Sequence, residues 1–342
     1  MNKTLEQLYA DHQGKVSDRW SLYLSEYDRL FSAYRDRPIR MLEVGIQNGG
    51  SLEIWGKFFP NAERIVGCDI NPACAMLEFE DSRVAVVVGD ANTEEDKQKI
   101  LSHSSSFDLI IDDGSHQSDD IVRLFANYFP HLDDDGIFVV EDLHCSYWQQ
   151  FEGGVFYPYS SIAFFKRLAD VVNHEHWGNE KSRQAILQTF ASEYGADFDE
   201  ELLGHIHSIE FINSICVIKK MRPAANVLGR RVIAGSIELV ASGHLPLHGS
   251  PCPRPDQMGN KWSTRNLSIE EELPTRIRQL VGLKRQMRNL LVGSLACFAI
   301  AAACYLFTWV PGLLGFGVAG IFFEIAAWVK LSSRKGNGGD EG

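Results

Sequence analysis

The sequence has no CxxC pair, and its seven cysteines are odd in number and scattered from Cys68 to Cys304. That usage argues against a zinc site or a disulfide framework and fits a reducing compartment. An excess of positive charge is missing too. The formal net charge is −12, so a nucleic-acid backbone is not an expected partner. The opening residues, MNKTLEQLYADHQGK, hold no apolar core, and no secretory peptide is expected. The dinucleotide spacing G-x-G-x-x-G is also absent, because in EVGIQNGGS Gly45 is followed by Gly49 and Gly50. Apolar material is not short. At 45% hydrophobic against 23% charged, the 342 residues can bury a real core. The length suggests two units, or one enlarged domain with appendages.

Residues 17–34 place Trp20, Tyr23, Tyr27, Leu30 and Phe31 at helical spacing. Apolar runs at 39–44, 64–69, 84–88, 107–112 and 137–140 then read as strands. Helical stretches at 51–58, 93–101 and 118–129 separate them. Strands that are apolar throughout and alternate with helices predict a parallel sheet covered on both faces. Asp133-Asp134-Asp135-Gly136 reads as a solvated turn feeding the fifth strand. Beyond Asp142 an aromatic, glycine-rich loop precedes helices at 161–172 and 182–194. HIHSIEFINSICVIKK then alternates at period two around Asn213-Ser214, as a hairpin does. The expected fold is α/β, a Rossmann-like, doubly wound, mostly parallel sheet with a C-terminal antiparallel hairpin.

The Pro, Gly and Ser density of 243–268 reads as a linker after a 1–242 domain. An amphipathic helix is expected at 269–289. Residues 290–310 carry no charge, Pro311-Gly312 punctuates them, and 313–329 are apolar except for Glu324. Each arm approaches the roughly 20 residues that cross a bilayer. A transmembrane helical hairpin is therefore expected at 290–330, with a disordered tail at 331–342. Lys284, Arg285 and Arg288 before it, and Lys330, Arg334 and Lys335 after it, would keep both ends cytoplasmic. That predicts anchoring at the cytoplasmic face of the inner membrane, with Glu324 as a costly intramembrane carboxylate.

Three acidic residues close successive strands: Glu43, Asp69 and Asp90. A carboxylate just before Gly45 suits a ligand with an ammonium or sulfonium group better than a pyrophosphate. Asp69 stands where acidic residues of doubly wound folds accept from ribose hydroxyls. Gly89-Asp90-Ala91 would lie near an adenine. In FDLIIDDGSH an apolar run stops at Asp112, Asp113, Gly114, Ser115 and His116. Such a cluster is either a surface turn or a catalytic edge at the carboxyl end of a buried strand.

LEVGIQNGGS, VGCDIN, VVVGDAN, FDLIIDDGSH and GIFVVEDLHCSYW together resemble class I S-adenosylmethionine-dependent methyltransferases. The nearest group contains the macrolide-sugar and rhamnosyl O-methyltransferases, and the likeness runs over roughly residues 15–240. It implies cofactor contacts at Glu43, Gly45, Gly49, Ser51, Asp69, Asp90, Ala91 and Asp112. It implies Mg²⁺ or Mn²⁺ ligands at Asp113, Glu141 and Asp142, and a general base at His116, with His144 in reserve. Leu22 departs from the pattern, which expects a His before Tyr23. Tyr23, His144, Tyr147 and Trp148 are candidate sugar contacts. The pairs His174/His176 and His205/His207 lack a third ligand in the sequence. The expected function is metal-dependent methyl transfer to a sugar hydroxyl of a glycan, glycolipid or glycosylated metabolite. The expected acceptor is lipid-linked or made at the membrane, and a homo-oligomer is compatible with this reading. An NAD(P)-dependent oxidoreductase is the first rival, opposed by the missing glycine pattern. A non-catalytic membrane scaffold is the second, opposed by the intact carboxylate and histidine set.

Overall fold

The computed structural model describes residues 3–264 and the single positions 290 and 294. Seven strands form one sheet: β1 (Arg40–Val44), β2 (Arg64–Asp69), β3 (Val84–Val88), β4 (Phe107–Asp112), β5 (Leu132–Val140), β6 (Ile206–Ile212) and β7 (Ile215–Lys220). Their order is β3-β2-β1-β4-β5-β7-β6. The first five are parallel. β7 lies antiparallel between β5 and β6. The central strands are apolar on both faces; Leu109, Ile110 and Ile111 of β4 have no exposed surface. Helices cover them, as a buried parallel sheet requires.

Two helices precede the sheet, and the second carries the N-terminal part of the site. In α1 (Leu5–Ala10) a capping box closes the first turn, with Thr4 and Gln7 each satisfying the other's backbone N–H. In α2 (Ser21–Phe31), Tyr23, Tyr27 and Phe31 recur every four residues and are buried. Tyr27 stacks on Phe31 at 4.9 Å and meets the edge of Trp55 at 5.4 Å. Trp55 lies in α3 (Gly50–Phe58), which follows β1. This aromatic packing seats the start of α2, and the Arg19-Trp20 step before it, over the carboxyl ends of β1, β4 and β5.

Strand β5 begins at Leu132, five residues before the expected start. The acidic run therefore belongs to the strand, not to a turn. A register shift between Phe107 and Leu109 absorbs it, with Asp135 at φ 68°. Side-chain partners hold the carboxylates: Arg40 pairs with Asp133, and His205 Nδ1 lies 2.9 Å from Asp134. The stretch expected as one helix at 182–194 is a short turn, Arg183–Ile186, followed by a helix, Gln188–Tyr194. Part of the segment read as a linker hydrogen-bonds back to the domain. Gln257 N donates to Gly178 O at 2.7 Å, and Asn179 Nδ2 donates to Ser263 O at 3.0 Å.

The membrane placement is corrected. No helix among the described residues is long and apolar enough to cross a membrane. The longest of them, Ser161–Val172, has 12 residues. At 1.5 Å per residue that spans about 18 Å, short of a hydrocarbon core of roughly 30 Å. Anchoring at the cytoplasmic membrane face is therefore not retained. The segments read as amphipathic helix, apolar hairpin and tail, Glu324 included, lie outside the described residues apart from Leu290 and Ser294.

Candidate active site

The carboxyl ends of the first four strands border a cavity of about 270 Å³. Gly45, Asp69, Asp90, Ala91, Asp112 and Asp113 are among the residues lining it. Gly45 sits at φ 91°, and a Cβ there would fall 1.9 Å from the carbonyl oxygen of Asp113. Only glycine lets β1 turn this close to the end of β4. Asp69 accepts from Gln47 N at 2.7 Å and from Asn71 N at 2.9 Å. Those bonds fix its carboxylate at the cavity edge. Asp90 accepts from Asn92 N at 2.9 Å. Asp112 is 3% exposed, and burial pushes its carboxyl up to about 7. Gly114 N lies 3.3 Å from its Oδ1, while Oδ2 is buried without a partner. A buried acceptor left open in a cavity fits a ligand that brings a donor.

Beside the cavity, β4 and β5 are neighbours, with Asp112 opposite Val140. Asp113 and the Glu141-Asp142 pair emerge together, as the sequence predicts. The two glutamates, however, turn inward. Glu43 is fully buried. It accepts from Ser51 Oγ at 2.7 Å and from Arg19 Nη2. Glu141 Oε1 accepts from Tyr27 OH at 2.5 Å, and its Oε2 accepts from Arg19 Nη1 at 2.6 Å. The same Nη1 donates to Asp113. Burial raises the pKa of all three carboxyls, and Arg19 pulls each back down. Burial disfavours the Arg19 charge, but Glu141, Asp113 and Glu43 outweigh it, so the guanidinium stays protonated. Glu43, Gly49, Ser51 and Glu141 are not among the cavity-lining residues.

Asp142, at φ 52°, faces the open side. Its Oδ1 accepts from Tyr23 OH at 2.7 Å and from Trp20 Nε1 at 3.0 Å. Its Oδ2 lies 3.7 Å from His116 Nε2. One donor atom from each of Asp113, His116 and Asp142 lies within 4.8 Å of the other two. His144 Nδ1 lies 3.8 Å from Asp142 and 2.5 Å from the hydroxyl of Ser214, which also bonds Tyr23 at 2.9 Å. The β6–β7 turn thus reaches the site.

Rings border the cluster. Trp148 meets His144 at 4.9 Å and Phe151 at 6.1 Å. Trp20 lies 6.1 Å from His144, and Phe151 lies 6.3 Å from His116. Trp20, Tyr147 and Trp148 are exposed. The other histidine pairs have structural partners: His174 Nε2 lies 2.8 Å from Lys181 O, and His207 Nδ1 lies 2.8 Å from Asn226 Oδ1. Arg19 was not singled out in the sequence, Ser214 was read only as a hairpin turn, and Trp20 and Tyr27 only as helix packing. The one available signal was SDRW, an isolated charge ahead of an aromatic helix.

This strand order, with a cavity at the parallel carboxyl edge and an acidic cluster beside it, defines a Rossmann-like α/β domain with a ligand site at the strand ends. Residues 42–143 match the family model described as a methyltransferase domain. The chain is 32% identical over 179 residues to the 8-demethyl-8-alpha-L-rhamnosyl tetracenomycin-C 2'-O-methyltransferase of Streptomyces olivaceus, covering 49% of this chain and 46% of that protein. It is 34% identical over 172 residues to the mycinamicin VI 2''-O-methyltransferase of Micromonospora griseorubida, covering 47% and 42%. The matches thus span less than half of these curated relatives. Among solved structures, the MycE methyltransferase of the mycinamycin pathway in complex with Mg and SAH matches at TM-score 0.54 and 26% identity, over 65% of this chain and 55% of that one.

Proposed function

We propose that the chain is an S-adenosylmethionine- and metal-dependent O-methyltransferase acting on a sugar hydroxyl of a glycosylated metabolite. The observation that carries this is the cavity ending directly at the Asp113–His116–Asp142 cluster. The relatives' printed names, and a MycE structure with Mg, SAH and mycinamycin VI, support the acceptor class and the ion. The catalytic unit is residues 1–242, with 243–268 as a linker that is tied back to it at Gln257 and Ser263. The case for a lipid-linked acceptor rested on the membrane anchor and falls with it.

Asp69 would receive the ribose hydroxyls of the cofactor, Asp90 and Ala91 would border its base, and the open Oδ2 of Asp112 would take a donor. Asp113 and Asp142 would hold the ion. Their oxygen donors suit Mg²⁺ or Mn²⁺. When bound, the ion would lower the acceptor hydroxyl's pKa and orient it. His116 takes the hydroxyl proton at Nε2. The acceptor oxygen forms its bond to the sulfonium methyl, and the broken C–S pair stays on sulfur. Trp20 and Trp148 present ring faces to the sugar's C–H surface.

Calorimetry with S-adenosylmethionine and with NADH, followed by labelled-methyl transfer to sugar acceptors, tests this reading. Binding of the first alone is expected, with transfer lost in EDTA and restored by Mg²⁺. Binding of NADH, or full transfer in chelator, overturns it.

A further inference from the structure

We propose that Arg19 is a built-in counter-cation that withdraws Glu43 and Glu141 from ion binding and leaves the divalent ion to Asp113 and Asp142. The proposal rests on the ion reading above but departs from the ligand set that the family resemblance implies. Both oxygens of Glu141 are already engaged, one by Tyr27 and one by Arg19, and the side chain is 2% exposed. At that burial its remaining lone pairs do not reach the open side. Asp113 gives Arg19 a single oxygen, Oδ2, which leaves its other oxygen open. Asp142 makes no ion pair with Arg19, and its Oδ2 faces His116.

The charge balance points the same way. One guanidinium meets three carboxyl groups, Glu43, Asp113 and Glu141, so it neutralises at most one of them, and the group carries up to two surplus negative charges. A second cation remains attracted. It can approach only where the carboxylates are partly exposed, at Asp113 (17%) and Asp142 (22%), because Glu43 and Glu141 are closed. Arg19 itself is 2% exposed, and its Nε is buried without a partner. A buried unsatisfied N–H is costly, so the surrounding charges, not hydrogen-bond economy, set its position. Arg19 is thus a positioning residue. It keeps the acidic edge from binding an ion too deeply, below the reach of an acceptor hydroxyl.

Removing the guanidinium would return two carboxylates to the cluster and strengthen its hold on a divalent ion. Mn²⁺ binding, read from the free-ion paramagnetic resonance signal of the full chain, gives the test, with melting curves in Mn²⁺ and in EDTA alongside. Glu141→Gln, which removes a nearby charge but no ligand, should weaken Mn²⁺ binding clearly less than Asp142→Asn, which should lose about tenfold or more as expected for a lost charged ligand. Arg19→Gln should bind Mn²⁺ about tenfold tighter or more, from the added close negative charge, and should gain a larger Mn²⁺-dependent rise in melting temperature than wild type. Arg19→Lys, which keeps the charge, should stay near wild type. Loss of Mn²⁺ in Glu141→Gln to the extent seen in Asp142→Asn overturns the proposal, as does unchanged or weaker binding in Arg19→Gln. If Arg19→Gln does not fold, Glu141→Gln decides alone. A wild-type chain that binds no Mn²⁺ overturns the ion reading itself, and this inference with it.

Discussion

His116 turns back through φ 58°, which points its ring at Asp142 instead of out along the chain. Its Nε2 is 3.7 Å from Asp142 Oδ2, beyond hydrogen-bond range, so that nitrogen is not tied up by the carboxylate. His116→Ala should cut turnover by about 10² to 10⁴ with cofactor affinity nearly unchanged; labelled-methyl transfer and calorimetry read the two quantities separately. Full activity in that variant would reduce the cluster to a turn. Asp69 has a different task. Its carboxylate is pinned by two backbone amides and still has lone pairs for hydroxyls. Asp69→Ala removes charge-assisted bonds worth roughly 1.5 to 3 kcal/mol. S-adenosylmethionine affinity should fall about tenfold or more, and an unchanged titration would rule the assignment out.

At the level of elements, Lys220 at the end of β7 ties the sheet to the chain between α5 (Ser118–Tyr128) and β5. Its buried ammonium donates to Phe129 O at 3.0 Å and to Leu132 O at 2.6 Å. Lys220→Met would orphan these carbonyls and should cost about 1 to 3 kcal/mol in a denaturant melt. Burial holds the Lys220 pKa below its ordinary 10.5. The unfolded chain therefore keeps that proton to higher pH than the folded one, and the penalty eases as pH rises towards 10.5. Stability measured against pH should climb less steeply there in Lys220→Met than in wild type. The strands at 64–69, 84–88 and 107–112 were legible to the residue, because each is an apolar run cut off by a turn or a charge. The start of β5 was not, since three aspartates in a row mimic a turn unless Arg40 and His205 are known to face them. Asp113 and Asp142 were legible because adjacent parallel strands bring their ends together. Arg19 was hidden because its partners lie 24, 94 and 122 residues away, a spacing that only the tertiary fold creates.

For the molecule as a whole, every residue bordering the cavity proposed for the cofactor lies between Val44 and Leu124. The acceptor side, by contrast, draws on residues from Trp20 to Ser214. A chain shortened to end at residue 264 should bind S-adenosylhomocysteine within about threefold of the full chain, and saturating ligand should raise the melting temperature of both equally. A cofactor affinity that collapses on shortening would place part of the cavity's support beyond Thr264.

The position of β7 also fixes an order in time. As the chain is synthesised, β2 finds β1 already made, β3 finds β2, β4 finds β1, and β5 finds β4. β6 finds no strand partner, because among the described residues its only neighbour in the sheet is β7. It must wait, and the turn carrying Ser214 arrives with β7. A nascent chain halted after β5 would therefore own a cofactor cavity but no finished place for an acceptor.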